Sequence, residues 1–243
     1  MITSPQNEKL KLVRRLREHK HREREGLFVG EGEDLVAAGL AAGLEPRFVL
    51  AAAGSGAPPE WDAEEVEPEL LGAVSSLGSG TRALAVWPLR WSERPLAPCV
   101  YLHAVADPGN VGAIVRSAHA LLDVPVALGP GCADPFSPKA VRASMGSVFA
   151  RPPARAEVAA TPAPRAALVA HGGGGLDSLA GAATLCLGAE REGLPAEVLA
   201  ECEVEATIPL RAGGAESLNV AAAAAIAAQR ISSPAMQEGR PDA

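Results

Sequence analysis

Aromatic side chains are scarce in this 243-residue chain: three Trp, one Tyr and four Phe make up 3% of it. A core must therefore be built from Ala, Val and Leu, and the 48% apolar content is ample for one. The four cysteines, Cys99, Cys132, Cys186 and Cys202, form no CxxC pair and no His/Cys cluster with zinc spacing. That excludes a zinc module; no metal is expected, and the thiols read as small buried hydrophobes in a reducing compartment. No apolar run reaches membrane-spanning length, and "MITSPQNEKLKLVRRL" lacks a signal-peptide core, so a cytoplasmic protein without membrane association is expected. The common phosphate and nucleophile motifs are missing as well. "GPGCAD" (129–134) lacks the last glycine of GxGxxG, and neither GxxxxGK[ST] nor GxSxG occurs. Without that serine elbow, "HGGGG" (171–175) reads as a flexible turn and not as an oxyanion-hole loop.

The formal net charge of −7 argues against indiscriminate nucleic-acid binding, but its distribution is uneven. Residues 1–24 hold eight Lys or Arg against three Glu, whereas "EWDAEEVEPE" (60–69) holds six acids and no base. On charge alone the basic stretch reads first as a solvated helix face, with a phosphate backbone as the alternative partner.

Hydrophobic periodicity divides the chain in two. Leu10, Val13 and Leu16 predict a short amphipathic helix after a Ser-Pro start. A strand at Leu27–Val29, a turn at Gly30–Gly32, a helix from Asp34, strands "RFVLAAA" and "RALAVWP", and a helix "PELLGAVSSL" complete a small α/β domain, 1–90. "LRWSERPLAP", with two prolines and no periodicity, marks a linker, assigned to 91–98. From 99 to 232 apolar strands alternate with helices, which implies a mostly parallel sheet covered on both faces. The last 11 residues, 233–243, read as a disordered tail. This organisation leads to the expectation that 1–90 serves partner choice while the second domain binds a ligand unaided.

In such sheets ligands lie beyond the carboxyl ends of the strands, and three turns there stand out. In "DPGNVGAIVRSAHAL", Asp107, Pro108, Gly109, Asn110 and Gly112 crowd one turn, and Arg116 follows on the helix; a capped helix with a surface Arg is the plain alternative. In "LCLGAEREGL", Gly188 ends an apolar strand, with Glu190 and Gly193 after it. In "IPLRAGGAESLNV", Ser217 and Asn219 lead into an Ala-rich helix that needs one cap, not two.

Together, and in this order, "NVGAIVRSA", "LGAEREGL" and "IPLRAGGAESLNVA" resemble the three motifs of the SpoU (TrmH-like) branch of the SPOUT RNA methyltransferases. "DPFSPKAVRASMGSVF" resembles that family's segment between the first two motifs, and the N-terminal stretch resembles its RNA-substrate-binding domain. The resemblance spans nearly the whole chain. It implies an α/β fold with a trefoil-knotted C-terminal SPOUT domain, a mostly parallel sheet, and a small N-terminal α/β RNA-binding domain. It also implies S-adenosylmethionine as cofactor, a homodimer, and methylation of the ribose 2′-hydroxyl of structured RNA. The N-terminal domain type points to 23S rRNA; a tRNA enzyme, an rRNA-methylating resistance enzyme and a silent RNA-binding factor are the alternatives.

On this resemblance the catalytic set is Asn110, Arg116, Glu190, Ser217 and Asn219. Arg116 is expected to hold RNA phosphate and steady the developing oxyanion, Asn110 to orient Arg116 or the ribose, and Glu190 to pair with Arg116 or an arginine of a partner subunit. Leu187, Gly188, Gly193, Ile208, Leu210 and Leu218 are expected to cup the cofactor. Arg14, Arg15, Arg22 and Arg142 are the expected RNA contacts. Two departures are visible: Leu122 and Asp123 stand where the family has an aromatic and a glycine, and Leu210 where methionine is common.

Overall fold

The computed structural model describes residues 1–95, 97–211, 213–214 and 216–232; the tail expectation, 233–243, lies outside them. The chain forms two compact units, Met1–Arg90 with Asp134–Ala150, and Trp91–Ala133 with the residues from Arg151 on. Among the described residues no helix is long and apolar enough to cross a membrane.

The chain begins with α1 (Glu8–Arg15), whose N-terminus is capped by the Asn7 side chain accepting from Lys9 N at 2.9 Å. Leu10, Val13 and Leu16 are buried, as their spacing predicts. The helix does not run on through the basic stretch: it stops at Leu16, and a separate α2 (His19–Glu25) ends on Gly26 in the left-handed conformation. Next come β1 (Leu27–Glu31), α3 (Glu33–Ala41), β2 (Phe48–Ala52), β3 (Glu64–Val66), α4 (Pro68–Val74) and β4 (Ala83–Pro88). They form a four-stranded sheet in the order β1-β4-β2-β3. Two details differ from expectation. The strand over 27–29 continues through Gly30 to Glu31, and the acidic stretch contributes β3, where Val66 alone is fully buried.

In the second unit, β5 (Cys99–Leu102), α5 (Pro108–Leu122) and β6 (Val126–Leu128) open a parallel sheet. The chain then leaves this unit. α6 (Pro138–Ser144) and α7 (Ser147–Ala150) pack with the first unit, where Phe136 and Phe149 meet Phe28 at ring-centroid distances of 5.0 and 5.6 Å. Trp87 lies 5.1 Å from Phe149, so half of the chain's eight aromatic residues sit in one cluster. Two ion pairs reinforce it. Arg22, 3% exposed, donates to Asp134 at 2.8 Å and to the carbonyls of Leu16 and Arg17 at 2.7 Å. Arg142 donates to the buried Glu31 carboxylate at 3.1 Å and to Ser76, whose backbone N–H also donates to Glu31. Residues 134–150, within the stretch 99–232 expected as the second domain, therefore pack with the first unit. A fragment starting near residue 96 would strip Phe136, Phe149 and Asp134 of their partners.

The remaining elements are β7 (Ala154–Arg155), β8 (Arg165–Leu168), β9 (Thr184–Leu187), α8 (Ala196–Leu199), β10 (Val204–Ala206) and α9 (Val220–Ser232). Their six-stranded sheet, β10-β8-β9-β5-β6-β7, is parallel throughout. Alternate residues face opposite sides: Val100, Leu102, Leu185 and Leu187 join a core with α5 and α9, while Cys99, Tyr101 and Cys186 join one with Val198 of α8. The proposed linker is partly docked, since Ser92 bonds to Pro153 and Trp91 stacks on the Arg155 guanidinium at 4.2 Å. The Gly-rich loop after β8 is also pinned. Gly174 N–H donates to Glu205 O, Thr207 N–H to Gly174 O, and a Cβ at Gly173 would stand 2.7 Å from the Ala206 carbonyl carbon. Glycine at 173 serves close approach there, not flexibility.

Asp134→Ala leaves the Arg22 guanidinium buried without its counterion, which costs about 3–5 kcal/mol. Urea denaturation is expected to show that loss, and a smaller one for Arg22→Met combined with Asp134→Leu, which removes both charges.

Candidate active site

The carboxyl ends of β8, β9 and β10 and the approach to α9 enclose a cleft of about 290 Å³ within the second unit. Its floor is set by β9. Strand register carries Leu187 against Leu102, and the chain then turns sharply at Gly188. The turn is closed by Ala189 N–H to Gly193 O at 3.1 Å and Gly193 N–H to Ala189 O at 3.0 Å. A Cβ on Gly188 would lie 2.2 Å from the Gly193 carbonyl carbon, and Gly193 itself has φ +70°. Both glycines are conditions of the turn.

All six residues expected around a cofactor line this cleft: Leu187, Gly188, Gly193, Ile208, Leu210 and Leu218. Of the catalytic set, Glu190 and Ser217 line it too. Leu210 and Leu218 are each 39% exposed, unusual for large apolar side chains, and both exposed faces belong to the cleft. Leu168, Val169 and Ala170 after β8 complete the wall. They were missed in the sequence, although the rule of strand carboxyl ends, applied to "RAALVAHGG", points to them.

Beside the cleft three polar side chains form a chain of hydrogen bonds. Asn219 Oδ1 accepts from Ala221 N at 2.9 Å and so caps α9. Its Nδ2 must then donate outward, and it does, to Asn110 Oδ1 at 3.0 Å. That leaves Asn110 Nδ2 as a donor, and Glu190 Oε1 accepts from it at 2.6 Å. The helix cap thus sets the direction of the whole relay. Asn110 is itself placed by α5, where Pro108 occupies the first turn and the Asp107 side chain accepts from Asn110 N at 3.0 Å. Asp107 is a positioning residue that the turn composition hinted at.

The second polar group before the Ala-rich helix is thereby explained. Asn219 serves as cap and as relay, while Ser217 faces the cleft. Arg116 is placed apart from them. It is exposed on α5, outside the cleft lining, and among the described residues no hydrogen bond or ion pair engages it. The expected Glu190–Arg116 pair is replaced by Glu190–Asn110, because six residues along a helix turn Arg116 to a different face from Asn110.

The expected RNA contacts need correction. Arg22 is buried against Asp134, and Arg142 is held by Glu31 and Ser76, so these two guanidinium groups support the fold of the first unit. Arg14 donates to Pro5 O at 2.9 Å, and Arg15 is exposed.

Comparison with known proteins identifies the family of the chain. Residues 97–229 match the model of the SpoU rRNA methylase family. The chain belongs to that family. Residues 7–77 of this SpoU-family chain match an MRM3-like substrate-binding domain. It is 31% identical to a 23S rRNA (guanosine(2553)-2′-O)-methyltransferase of Bacillus subtilis, over 93% of this chain and 96% of that one. A Sinorhizobium meliloti rRNA methyltransferase solved with S-adenosylmethionine superposes with a TM-score of 0.81 at 29% identity, covering 94% and 95% of the two chains. An RNA 2′-O ribose methyltransferase superposes with a TM-score of 0.76 at 28% identity, covering 94% and 96%.

Gly188→Ala tests whether the turn shapes the cleft. Relieving the clash costs about 1–3 kcal/mol and displaces the 189–193 segment. Calorimetric titration with S-adenosylmethionine is expected to show at least about a tenfold loss of affinity; wild-type affinity would separate the turn from ligand binding.

Proposed function

We propose that this SpoU-family chain transfers a methyl group from S-adenosylmethionine to a ribose 2′-hydroxyl of 23S rRNA, as a homodimer in the cytoplasm. The observation that carries the proposal is the meeting of an apolar cleft and a directed polar relay at one residue, Glu190. The cleft fits the cofactor: uncovered Leu210 and Leu218 offer flat apolar contact to a purine, with Gly188 and Ile208 in the lining beside them. When bound, S-adenosylmethionine supplies an electrophilic methyl group on a sulfonium. The acids Glu190, Glu192 and Glu216 around the cleft suit its positive charges.

The rest is the work of the chain's own side chains. Asn110, pinned between Asn219 and Glu190, holds the Glu190 carboxylate in one orientation at the cleft edge. Ser217 brings a hydroxyl to the cleft where the ribose must approach. Arg116, a guanidinium exposed on α5, is free to take an RNA phosphate and to stabilise negative charge on the attacking oxygen. In-line placement then supplies much of the rate. Relatives named as 2′-O-methyltransferases, one of them acting on 23S rRNA, support the choice of substrate. The homodimer is supported by α9, an Ala-rich helix whose Ile226 remains 40% exposed.

Arg116→Ala is expected to lower single-turnover methyl transfer about 100- to 1,000-fold with cofactor affinity unchanged. Lysine restores little, because a point charge does not reproduce a two-pronged contact. A near wild-type rate for Arg116→Ala would remove the residue from the mechanism. The dimer is tested by light scattering of the full chain, where a monomer at micromolar concentration refutes it.

A further inference from the structure

The basic run at the N-terminus is mostly neutralised where it stands. Lys9 pairs with Glu64 at 2.6 Å, Lys11 with Glu8 and Lys20 with Glu18 at 2.8 Å. Arg14 and Arg17 donate to the carbonyls of Pro5 and Val74, and Arg22 is buried. A charge count along the sequence therefore misplaces the positive field.

Tertiary structure gathers it elsewhere in the first unit. Arg24, 62% exposed, lies 2.8 Å from Glu25 at the end of α2. Arg15, the last residue of α1, and Arg47, just before β2, are close enough to act on the same carboxylate and, with Arg24, hold it below its usual range. Backbone pairing explains the convergence. β1 opposes β4 with Leu27 against Pro88, Leu89 N donates to Gly26 O at 2.7 Å, and Arg47 N donates to Val86 O at 2.8 Å. Arg90 follows Leu89 and is carried to the same end of the sheet. Arg15, Arg24, Arg47 and Arg90 are all exposed; the acids near them include Glu25, which pairs with Arg24, Glu8, on which Arg15 also acts, Glu23 before Arg24, and Glu45 two residues before Arg47.

We propose that Arg15, Arg24, Arg47 and Arg90 form a phosphate-binding patch at one end of the first unit's sheet and grip the backbone of the RNA substrate. The inference rests on the RNA-methylating reading and assigns it a contact surface. Guanidinium forks suit phosphate oxygens, and four of them from separate segments (the ends of α1 and α2, the start of β2, the end of β4) form a rigid constellation, not a flexible basic tail. RNA duplexes are gripped mainly through phosphate and 2′-hydroxyl groups, which such a patch matches without reading sequence.

The test uses the full chain and protein-free 23S rRNA, with affinity followed across a salt series. Arg15→Gln combined with Arg47→Gln is expected to weaken binding at least about tenfold and to flatten the log affinity–log salt slope by about two, one per lost phosphate contact. Arg82→Gln, an exposed arginine paired with Glu33 at 3.5 Å away from the patch residues, is expected to leave both unchanged. S-adenosylmethionine affinity is expected to stay at the wild-type value in every variant. Wild-type affinity and slope in the double variant would overturn the patch, as would an equal loss from Arg82→Gln. Methyl transfer to the same RNA is measured separately. A wild-type chain that binds 23S rRNA without methylating it refutes the functional reading, and the patch is then judged on binding alone.

Discussion

The Asn110 carboxamide is the joint on which the second unit's functional end depends. It accepts from Asn219 at 3.0 Å and donates to Glu190 at 2.6 Å, so one side chain ties the first turn of α5 to the first turn of α9 and to the loop after β9. None of these segments is held there by the sheet ladder, because each begins where a strand has ended. Hydrogen bonds to a carboxylate contribute about 1.5–3 kcal/mol, more than neutral ones. An aspartate at 110 would put a like charge against Glu190, and an alanine would leave Asn219 without its acceptor. The polarity runs one way because the α9 cap fixes the Asn219 amide. Asparagine, a donor and an acceptor on one planar group, is what this joint requires.

Much of this was legible in the sequence, for identifiable reasons. The parallel sheet followed from short apolar strands alternating with helices, and the cleft lining from glycines and apolar residues placed after strands. Asn110 and Glu190 stand out as polar groups in turns after strands, and Asn219 as one beyond capping needs; the structure brings these three together. Their partners were not legible: sequence order says nothing about which of several polar groups meet, so the expectation for Glu190 is Arg116 or a partner subunit's arginine, whereas within the chain it meets Asn110. The Gly-rich segment at 171–175 was misread for a related reason. Glycine marks both loose and close-packed backbone, and the Ala206 backbone that decides between them lies in another strand.

Residues 134–150 show the same limit at larger scale. Their helix signals, a Ser137 cap and Pro138 in the first turn, are local. Their membership in the first unit rests on Arg22–Asp134 and Arg142–Glu31, pairs separated by 112 and 111 residues. Arginines in a basic stretch invite assignment to RNA, yet a guanidinium that is 3% exposed with three intrachain acceptors has nothing left to offer a ligand. Burial separates structural from ligand-binding arginine, and composition is blind to it.

Charge has to be argued in the same terms. A net −7 would repel RNA if the charge were felt as a whole, but at physiological ionic strength screening confines each group's influence to about 8–10 Å. Within that radius what counts is which cations lack a local acid. Salt bridges within the chain remove Lys9, Lys11 and Lys20 from consideration, and the acids of 60–69 cancel part of the basic helix directly, as Glu64 does for Lys9. Arg24 is itself paired with Glu25 at 2.8 Å, but Arg15 and Arg47 act on that same carboxylate, so cations outnumber it where they meet. The chain is thus acidic by composition, while the patch proposed for phosphate exists only where the fold brings its guanidinium groups together, so binding there requires the folded state.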